Sequence, residues 1–194
     1  GSVGARAMSG DGQWLLMLDD AQGANYGVVL RRTDRSQTLR LGEGSSQQLS
    51  PDGKWATAIL NSPKQTLVVY PTGPGEPLRL AGGIERFERA DWFPDSRRLF
   101  ICGAEPAHAP RCYEQDLSGS SPRPLTDEGI RATLAPDGRS LLLSKPGGQF
   151  ARTSIGGGQE TPVSGFRAED TQIAWSRDSQ AVFVQRSLDP PAMI

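Results

Sequence analysis

Cysteine and histidine are nearly missing from this chain. Two cysteines and one histidine occur in 194 residues. Cys102, Cys112 and His108 together fall one ligand short of a four-coordinate zinc site. A Ser–His–acid triad would have to use His108, and no G-x-S-x-G nucleophile elbow accompanies it. An excess of either charge is missing too: 21 basic side chains face 22 acidic ones. Without a basic surplus to neutralise a row of phosphates, no nucleic-acid partner is expected. The longest uninterrupted apolar run, Trp14 to Leu18, is far below the roughly 20 residues that span a bilayer, so no membrane insertion is expected within this chain. No stretch keeps a 3.6-residue apolar period over helical length, which predicts almost no helix. Glycine-rich stretches such as Gly156-Gly157-Gly158 precede no helix and read as turns, not as a phosphate cradle. No cofactor, no metal and no catalytic residue is expected.

What the chain does have is a repeat. A short cassette, apolar residue, spacer, x-Asp-Gly/Ser, returns five times: Met8 to Gly12, Leu49 to Gly53, Trp92 to Ser96, Leu134 to Gly138 and Trp175 to Ser179. The aspartates Asp11, Asp52, Asp95, Asp137 and Asp178 are separated by 41, 43, 42 and 41 residues. A period of roughly 40–45 residues with turn chemistry between short apolar runs is what β-propeller blades produce. Each repeat offers one carboxylate with no ladder of oxygen ligands around it, so calcium is rejected and the aspartates read as turn formers.

The second repeat shows how a cassette becomes a blade. Ser46 to Leu49 reads as a first strand, and Ser50-Pro51-Asp52-Gly53 as a turn. Proline presets φ, the aspartate can accept from nearby backbone N–H groups, and the glycine takes the left-handed position cheaply. Trp55–Leu60, Thr66–Tyr70 and Pro77–Leu80 follow as the second, third and outermost strands. The same score places second strands at Trp14–Leu18, Arg98–Cys102, Ser140–Leu143 and Ala181–Val184. Third strands fall at Tyr26–Leu30, Arg111–Asp116 and Phe150–Ile155, and fourth strands at Thr38–Leu41, Arg123–Thr126 and Thr161–Val163. The expected fold is all-β, a β-propeller of four-stranded antiparallel blades in one domain, with blades near 3–44, 45–83, 84–129, 130–168 and an incomplete 169–194. Ser96 and Ser179 stand where the other cassettes have glycine, at a cost of about 1 kcal/mol each for a left-handed serine.

Ser50-Pro51-Asp52-Gly53-Lys54-Trp55, Ala135-Pro136-Asp137-Gly138-Arg139 and Pro124-Leu125-Thr126 resemble the WD40-like PD40 repeats of TolB-type propellers. Such repeats occur in TolB, in the non-catalytic propellers of prolyl-oligopeptidase-type peptidases, and in sensor-like halves of bacterial eukaryotic-type Ser/Thr kinases. Leu39 to Gly44 running into Leu49–Trp55, and Trp92-Phe93-Pro94-Asp95, look most like the kinase-appended group. The resemblance implies a non-catalytic module that binds a protein partner or senses a small polar ligand; the alternatives are a peptidase propeller and a free-standing periplasmic binder. The fifth repeat stops at Ala192-Met193-Ile194, so the expectation is an arc of a ring of roughly six to eight blades. A closed five-bladed ring is the alternative. Open blade edges would then favour self-association.

Function in propellers gathers on the face formed by the second-to-third-strand loops and the interblade crossovers, and on the channel mouth they surround. In this chain those segments are charged and irregular: Asp19-Asp20 through Tyr26, Glu85 to Arg89, Glu105 to Arg111, Asp127-Glu128 and Arg167 to Asp170. The candidate binding residues are Arg6, Gln48, Arg89, Asp91, Arg131 and Asp170, against the plainer reading of a solvated rim. Cys102 and Cys112 fall opposite each other across a predicted hairpin. Two buried thiols and a cross-strand disulfide both remain open; the disulfide would favour an extracytoplasmic location. His108 reads as an exposed loop residue. Met8, Leu49, Trp92, Leu134 and Trp175 share one position and are expected in the interblade core. Trp14 and Trp55 are candidates for either core or an exposed cap.

Overall fold

The computed structural model describes residues 3–19, 26–61, 64–80, 82–166 and 171–185. Asp20, Arg167 to Asp170 and Ala192 to Ile194, named above, lie outside them. Among the described residues there are only strands and turns. Blade 1 consists of β1 (Val3–Met8), β2 (Trp14–Asp19), β3 (Gly27–Arg32) and β4 (Thr38–Glu43). Blade 2 consists of β5 (Ser45–Leu49), β6 (Trp55–Leu60), β7 (Thr66–Pro71) and β8 (Leu78–Leu80). Blade 3 holds β9 (Arg86–Trp92), β10 (Arg98–Ala104), β11 (Arg111–Asp116) and β12 (Arg123–Pro124). Blade 4 holds β13 (Arg131–Leu134), β14 (Ser140–Lys145), β15 (Gln149–Ser154) and β16 (Thr161–Pro162). Blade 5 is represented by the hairpin β17 (Thr171–Trp175) and β18 (Val182–Gln185). Every complete sheet keeps its strands in chain order and pairs them antiparallel, the meander of a β-propeller blade. The chain forms two compact units, Gly1–Glu128 and Gly129–Ile194.

The cassette turns explain why the strands start where they do. In blade 2 the Gly53 N–H donates to Ser50 O at 2.8 Å, and Gly53 sits at φ +71°. Ser50 Oγ donates to Asp52 Oδ1 at 2.6 Å, and Asp52 Oδ1 accepts the Lys54 N–H at 3.1 Å. Ser9–Asp11 and Ser176–Asp178 repeat that arrangement. In blades 3 and 4, where Phe93 and Ala135 replace the serine, the aspartate accepts two successive backbone N–H groups instead: Arg97 and Arg98, or Arg139 and Ser140. All five turn carboxyls are held below their usual range. For Asp52, Asp95 and Asp137 burial pushes upward, and the hydrogen bonds and neighbouring cations outweigh it.

Within the first unit the blades stack by their apolar faces. Leu16, Val28 and Leu30 of blade 1 meet Leu49, Ala56, Ala58, Leu60, Val68 and Tyr70 of blade 2. Ile59, Leu67, Val69 and Leu80 of blade 2 meet Ala90, Trp92, Leu99, Ile101 and Tyr113 of blade 3. Burying a Leu-sized side chain in such a seam contributes about 1.5–3 kcal/mol. Trp14 and Trp55 are partly buried against these clusters, so they belong to the seams. Met8 departs from expectation. Its equivalents Leu49 and Trp92 are 8% exposed, whereas Met8 is 61% exposed. Leu49 and Trp92 each pack in a seam against the preceding blade of unit 1, and Met8 belongs to neither of those seams. Some strand ends also differ. Tyr26 and Ala181 fall outside their strands, and β12 and β16 end at Pro124 and Pro162; one more bond follows each, Leu125 N to Cys112 O and Val163 N to Phe150 O, and after Pro124 the return bond is lost because the Cys112 N–H turns to Thr126 Oγ1.

Candidate functional site

Antiparallel meanders sort the connections onto two faces. The Asp turns and the third-to-fourth-strand turns emerge at one end of each sheet. The second-to-third-strand turns and the crossovers to the next blade emerge at the other, the loop face. On the Asp-turn face the cassettes repeat with little change; on the loop face the fully described second-to-third-strand turns differ, residues 105–110 in blade 3 against 146–148 in blade 4.

Among the described residues, blade 3 carries the most developed loop-face cluster. Its β10–β11 tip, residues 105–110, is clamped from behind by a disulfide between Cys102 and Cys112, whose Cα atoms are 4.0 Å apart. The two cysteines are directly opposed in the ladder. The Cys112 backbone N–H donates to Thr126 Oγ1, and its carbonyl accepts from Leu125 N. Both groups thus point away from β10, the closely spaced type of antiparallel pair. Above the disulfide, Arg111 Nε donates to the Tyr113 hydroxyl at 3.1 Å, and that hydroxyl donates to Glu105 Oε1 at 3.1 Å. Arg111 Nη2 reaches the same carboxylate at 3.2 Å, which closes a triangle. Burial raises the Tyr113 hydroxyl above its ordinary pKa, so it stays a donor at neutral pH. His108 Nδ1 lies 2.7 Å from Glu128 Oε1, and that contact holds the Glu128 carboxyl below its usual range. Ala107 at the tip has φ +63°. The result is an exposed tip of fixed shape, with hydrogen-bonding groups already arranged before any partner arrives.

The candidates on the innermost strands are less alike than the repeat suggests. Arg6 lies five residues before its turn aspartate, Gln48 and Asp91 four, Arg131 six and Asp170 eight, so they do not share one rung. Arg6 sits at a ladder irregularity of β1 and is exposed. Gln48 is half-buried at the irregularity of β5, where its backbone N–H donates to Thr57 Oγ1 and its carbonyl accepts from the same hydroxyl. Arg89 Nη2 and Asp91 Oδ2 form an ion pair at 2.5 Å on β9. The Asp91 side chain is 20% exposed, and burial pushes its carboxyl above the usual range although Arg89 pulls the other way. Arg131 is exposed at the start of β13, in the second unit. Asp170 lies outside the described residues. The structure therefore brings Arg89 and Asp91 together. Among the described residues no group of three or more His, Cys, Asp or Glu side chains could hold a metal ion.

Two residues that looked like mere turn exceptions have partners in a neighbouring blade. Ser96, at φ +58°, accepts the Asp52 N–H of the blade before it at 3.0 Å. Ser179, at φ +60°, accepts the Asp137 N–H in the same way. The two blades that carry serine are also the two that carry tryptophan three residues before the aspartate. Trp175 Nε1 donates to Thr133 Oγ1 of blade 4 at 3.2 Å. The equivalent Trp92 Nε1 is buried without a hydrogen-bond partner among the described residues, and Gln48 occupies the position equivalent to Thr133. Glycine at the turn can make no such bond, and that substitution was the sequence signal.

Neither a family model nor a curated protein sequence matches the chain. Solved structures do. The propeller domain of the Trilobed protease from Pyrococcus furiosus, described as having an open velcro topology, superposes with TM-score 0.72 at 10% identity over 99% of this chain and 65% of that one. Oligogalacturonate lyase, solved with manganese, gives TM-score 0.70 at 14% identity over 94% of this chain and 59% of the lyase. TolB from Acinetobacter baumannii gives 0.66 at 17% identity over 83% of this chain and 43% of TolB. The chain thus spans about two fifths to two thirds of these neighbours' lengths. At such identities the likeness is one of fold, and the fold is a β-propeller.

Proposed function

We propose that this chain is a non-catalytic propeller module that engages a protein partner, or a small polar ligand, through its loop face. The observation that supports this reading is the contrast between the faces. On the Asp-turn face every cassette aspartate accepts the N–H two residues on, with only the accompanying donor varying, whereas the loop face holds the disulfide-clamped tip of blade 3 with its Glu105–Arg111–Tyr113 triangle. Rigid presentation of an irregular, mixed-charge surface suits recognition. The setting in this reading is the sensor portion of a bacterial signalling kinase, on the resemblance of Leu39 to Gly44 running into Leu49–Trp55 to kinase-appended repeats. The disulfide favours an extracytoplasmic location.

A second reading is the propeller domain of a peptidase, favoured by the Trilobed protease domain's superposition on nearly the whole chain; a free-standing TolB-like periplasmic binder is the third. The flanking gene sequence separates them. A kinase motif set upstream supports the sensor, a downstream G-x-S-x-G domain the peptidase, and a signal peptide with no further domain the TolB-like binder. The binding reading itself is tested by placing a photocrosslinking residue at Pro106, on the loop face, or at Pro74, on the opposite face. Capture of a partner from the parent cell through position 106 and not 74 is expected. Capture only through 74 overturns the reading.

A further inference from the structure

The outermost strands of the four complete blades differ in what they offer at the free edge. In blade 1 the Arg32 N–H donates to Gln37 O at 2.9 Å, so these two residues face each other through their hydrogen-bonding groups. Alternation gives the same inward role to Leu39, which is paired with Leu30. The N–H and C=O groups of Thr38 and Arg40 therefore point away from β3. Past the irregularity between Val28 and Val29, Glu43 points outward as well. Its N–H and its carbonyl are both taken by the Tyr70 hydroxyl of blade 2, at 3.1 and 2.7 Å. Thr38 and Arg40 have no such cap among the described residues.

The ladder registers align Thr38 and Arg40 with Pro77 and Arg79 in blade 2, Pro122 and Pro124 in blade 3, and Glu160 and Pro162 in blade 4. Leu125 and Val163, the residues after two of these prolines, donate inward, so positions 124 and 162 face out. Each of these three edges has thus lost at least one outward N–H to proline, a guard against strand addition. Strand β4 alone of the four keeps both. It is also six residues long, where β8 has three and β12 and β16 have two each. The Arg40 side chain lies back over β3 and away from the edge: a Cβ at Gly27 would come 3.4 Å from its Nη1. Leu39, between the two outward residues, is half-buried.

We propose that β4 pairs with β4 of a second copy of this chain, antiparallel about a two-fold axis at Leu39. In that register Thr38 exchanges both backbone hydrogen bonds with the partner's Arg40, and Arg40 does the same with the partner's Thr38. All the free groups of Thr38 and Arg40 are then used, and the two Leu39 side chains meet across the closely spaced type of pair. A register centred on Arg40 sets like charges directly opposite, and one centred on Thr38 leaves Arg40 without a strand beside it. The strand that satisfies this edge must itself bring two outward N–H groups two residues apart, and β4 is such a strand. The contact is isologous, so it stops at a dimer. It does not depend on the loop-face reading above.

Amide hydrogen exchange of the ¹⁵N-labelled full chain, dilute and concentrated, reads the edge directly. The Thr38 and Arg40 amides should pass from fast to slow exchange as the dimer fills. Association through the exposed Met8 would leave both fast. Thr38→Pro, at the first position of β4, removes an outward N–H and none that blade 1 uses. It should abolish the concentration dependence and preserve the rest of the amide spectrum. Leu39→Cys supplies a free thiol to a chain whose own two cysteines are bonded to each other. Cα atoms about 4.5 Å apart across the closely spaced pair lie in disulfide range, so mild oxidation should give a covalent dimer. Equal exchange of the two amides at both concentrations overturns the proposal, as does a Leu39→Cys chain that stays single or a dimer that survives Thr38→Pro. Protection that appears only when an extract of the parent cell is added gives the edge to a foreign strand and overturns self-pairing.

Discussion

A serine at φ +58° costs about 1 kcal/mol that glycine would avoid, yet Ser96 occupies that position next to a backbone donor of another blade. The hydrogen bond to Asp52 N is worth about the same, so the two terms roughly cancel. Replacement variants separate them. Ser96→Ala keeps the backbone strain and loses the bond, and should lower unfolding stability by about 1–2 kcal/mol in urea titrations. Ser96→Gly loses the bond and the strain together and should fall close to the parent. Equal stability of parent and Ser96→Ala would show that the latch contributes nothing. Asp91 gives a second residue-level prediction, with the opposite sign from the turn aspartates. Burial raises its carboxyl in the folded chain above the usual 3.8, so the folded state holds the proton more tightly than the unfolded one. Its contribution is full below pH 3.8 and is lost as pH rises through the raised value. Asp91→Asn should lack this decline and be at least as stable as the parent at pH 7, since Arg89 is 41% exposed and can hydrate. A variant clearly less stable at pH 7 would show that the Arg89 pair outweighs desolvation.

At the scale of strands and blades, close approaches decide which substitutions the seams tolerate. Tyr70 of β7 donates its hydroxyl to Glu43 O at 2.7 Å and accepts the Glu43 N–H at 3.1 Å, reaching across to β4 of blade 1. Its ring passes over Gly42, where a Cβ would sit 2.2 Å from Cε1. Gly42→Ala should therefore cost about 1–3 kcal/mol by overpacking, measured by chemical denaturation. In Tyr70→Ala the same substitution should cost much less, because the obstructing ring is gone; additive losses would refute the clash. The strands were legible because turn chemistry is local: each Asp cassette fixes where a second strand begins, and Trp55–Leu60 and Arg111–Asp116 start and stop where the residues predict. The partners of Ser96, Tyr70 and Trp175 were not legible. They lie 44, 27 and 42 residues away in the chain, and only stacking of one blade on the next brings them together. The Arg111–Tyr113–Glu105 triangle was hidden for a related reason, since it depends on how the 105–110 tip folds back on its own hairpin.

For the whole molecule, two large apolar side chains stand largely in water: Met8 is 61% exposed and Phe183 58%, although Leu49 and Trp92, the equivalents of Met8, are buried in seams of the first unit. Apolar surface of this kind gains by meeting another like it, at about 25 cal/mol per Å² removed from water. An isolated chain should therefore associate reversibly, with a sedimentation coefficient that rises with concentration and binding of an apolar dye. Salt should strengthen the association, because screening leaves apolar contacts intact and removes like-charge repulsion. Met8→Glu combined with Phe183→Glu should shift the equilibrium toward monomer without lowering unfolding stability, as both side chains are largely in water already. Unchanged association in that double variant would place the contact elsewhere. The unpaired strand edges would then be the next surface to block, since their free N–H and C=O groups pair without any side chain.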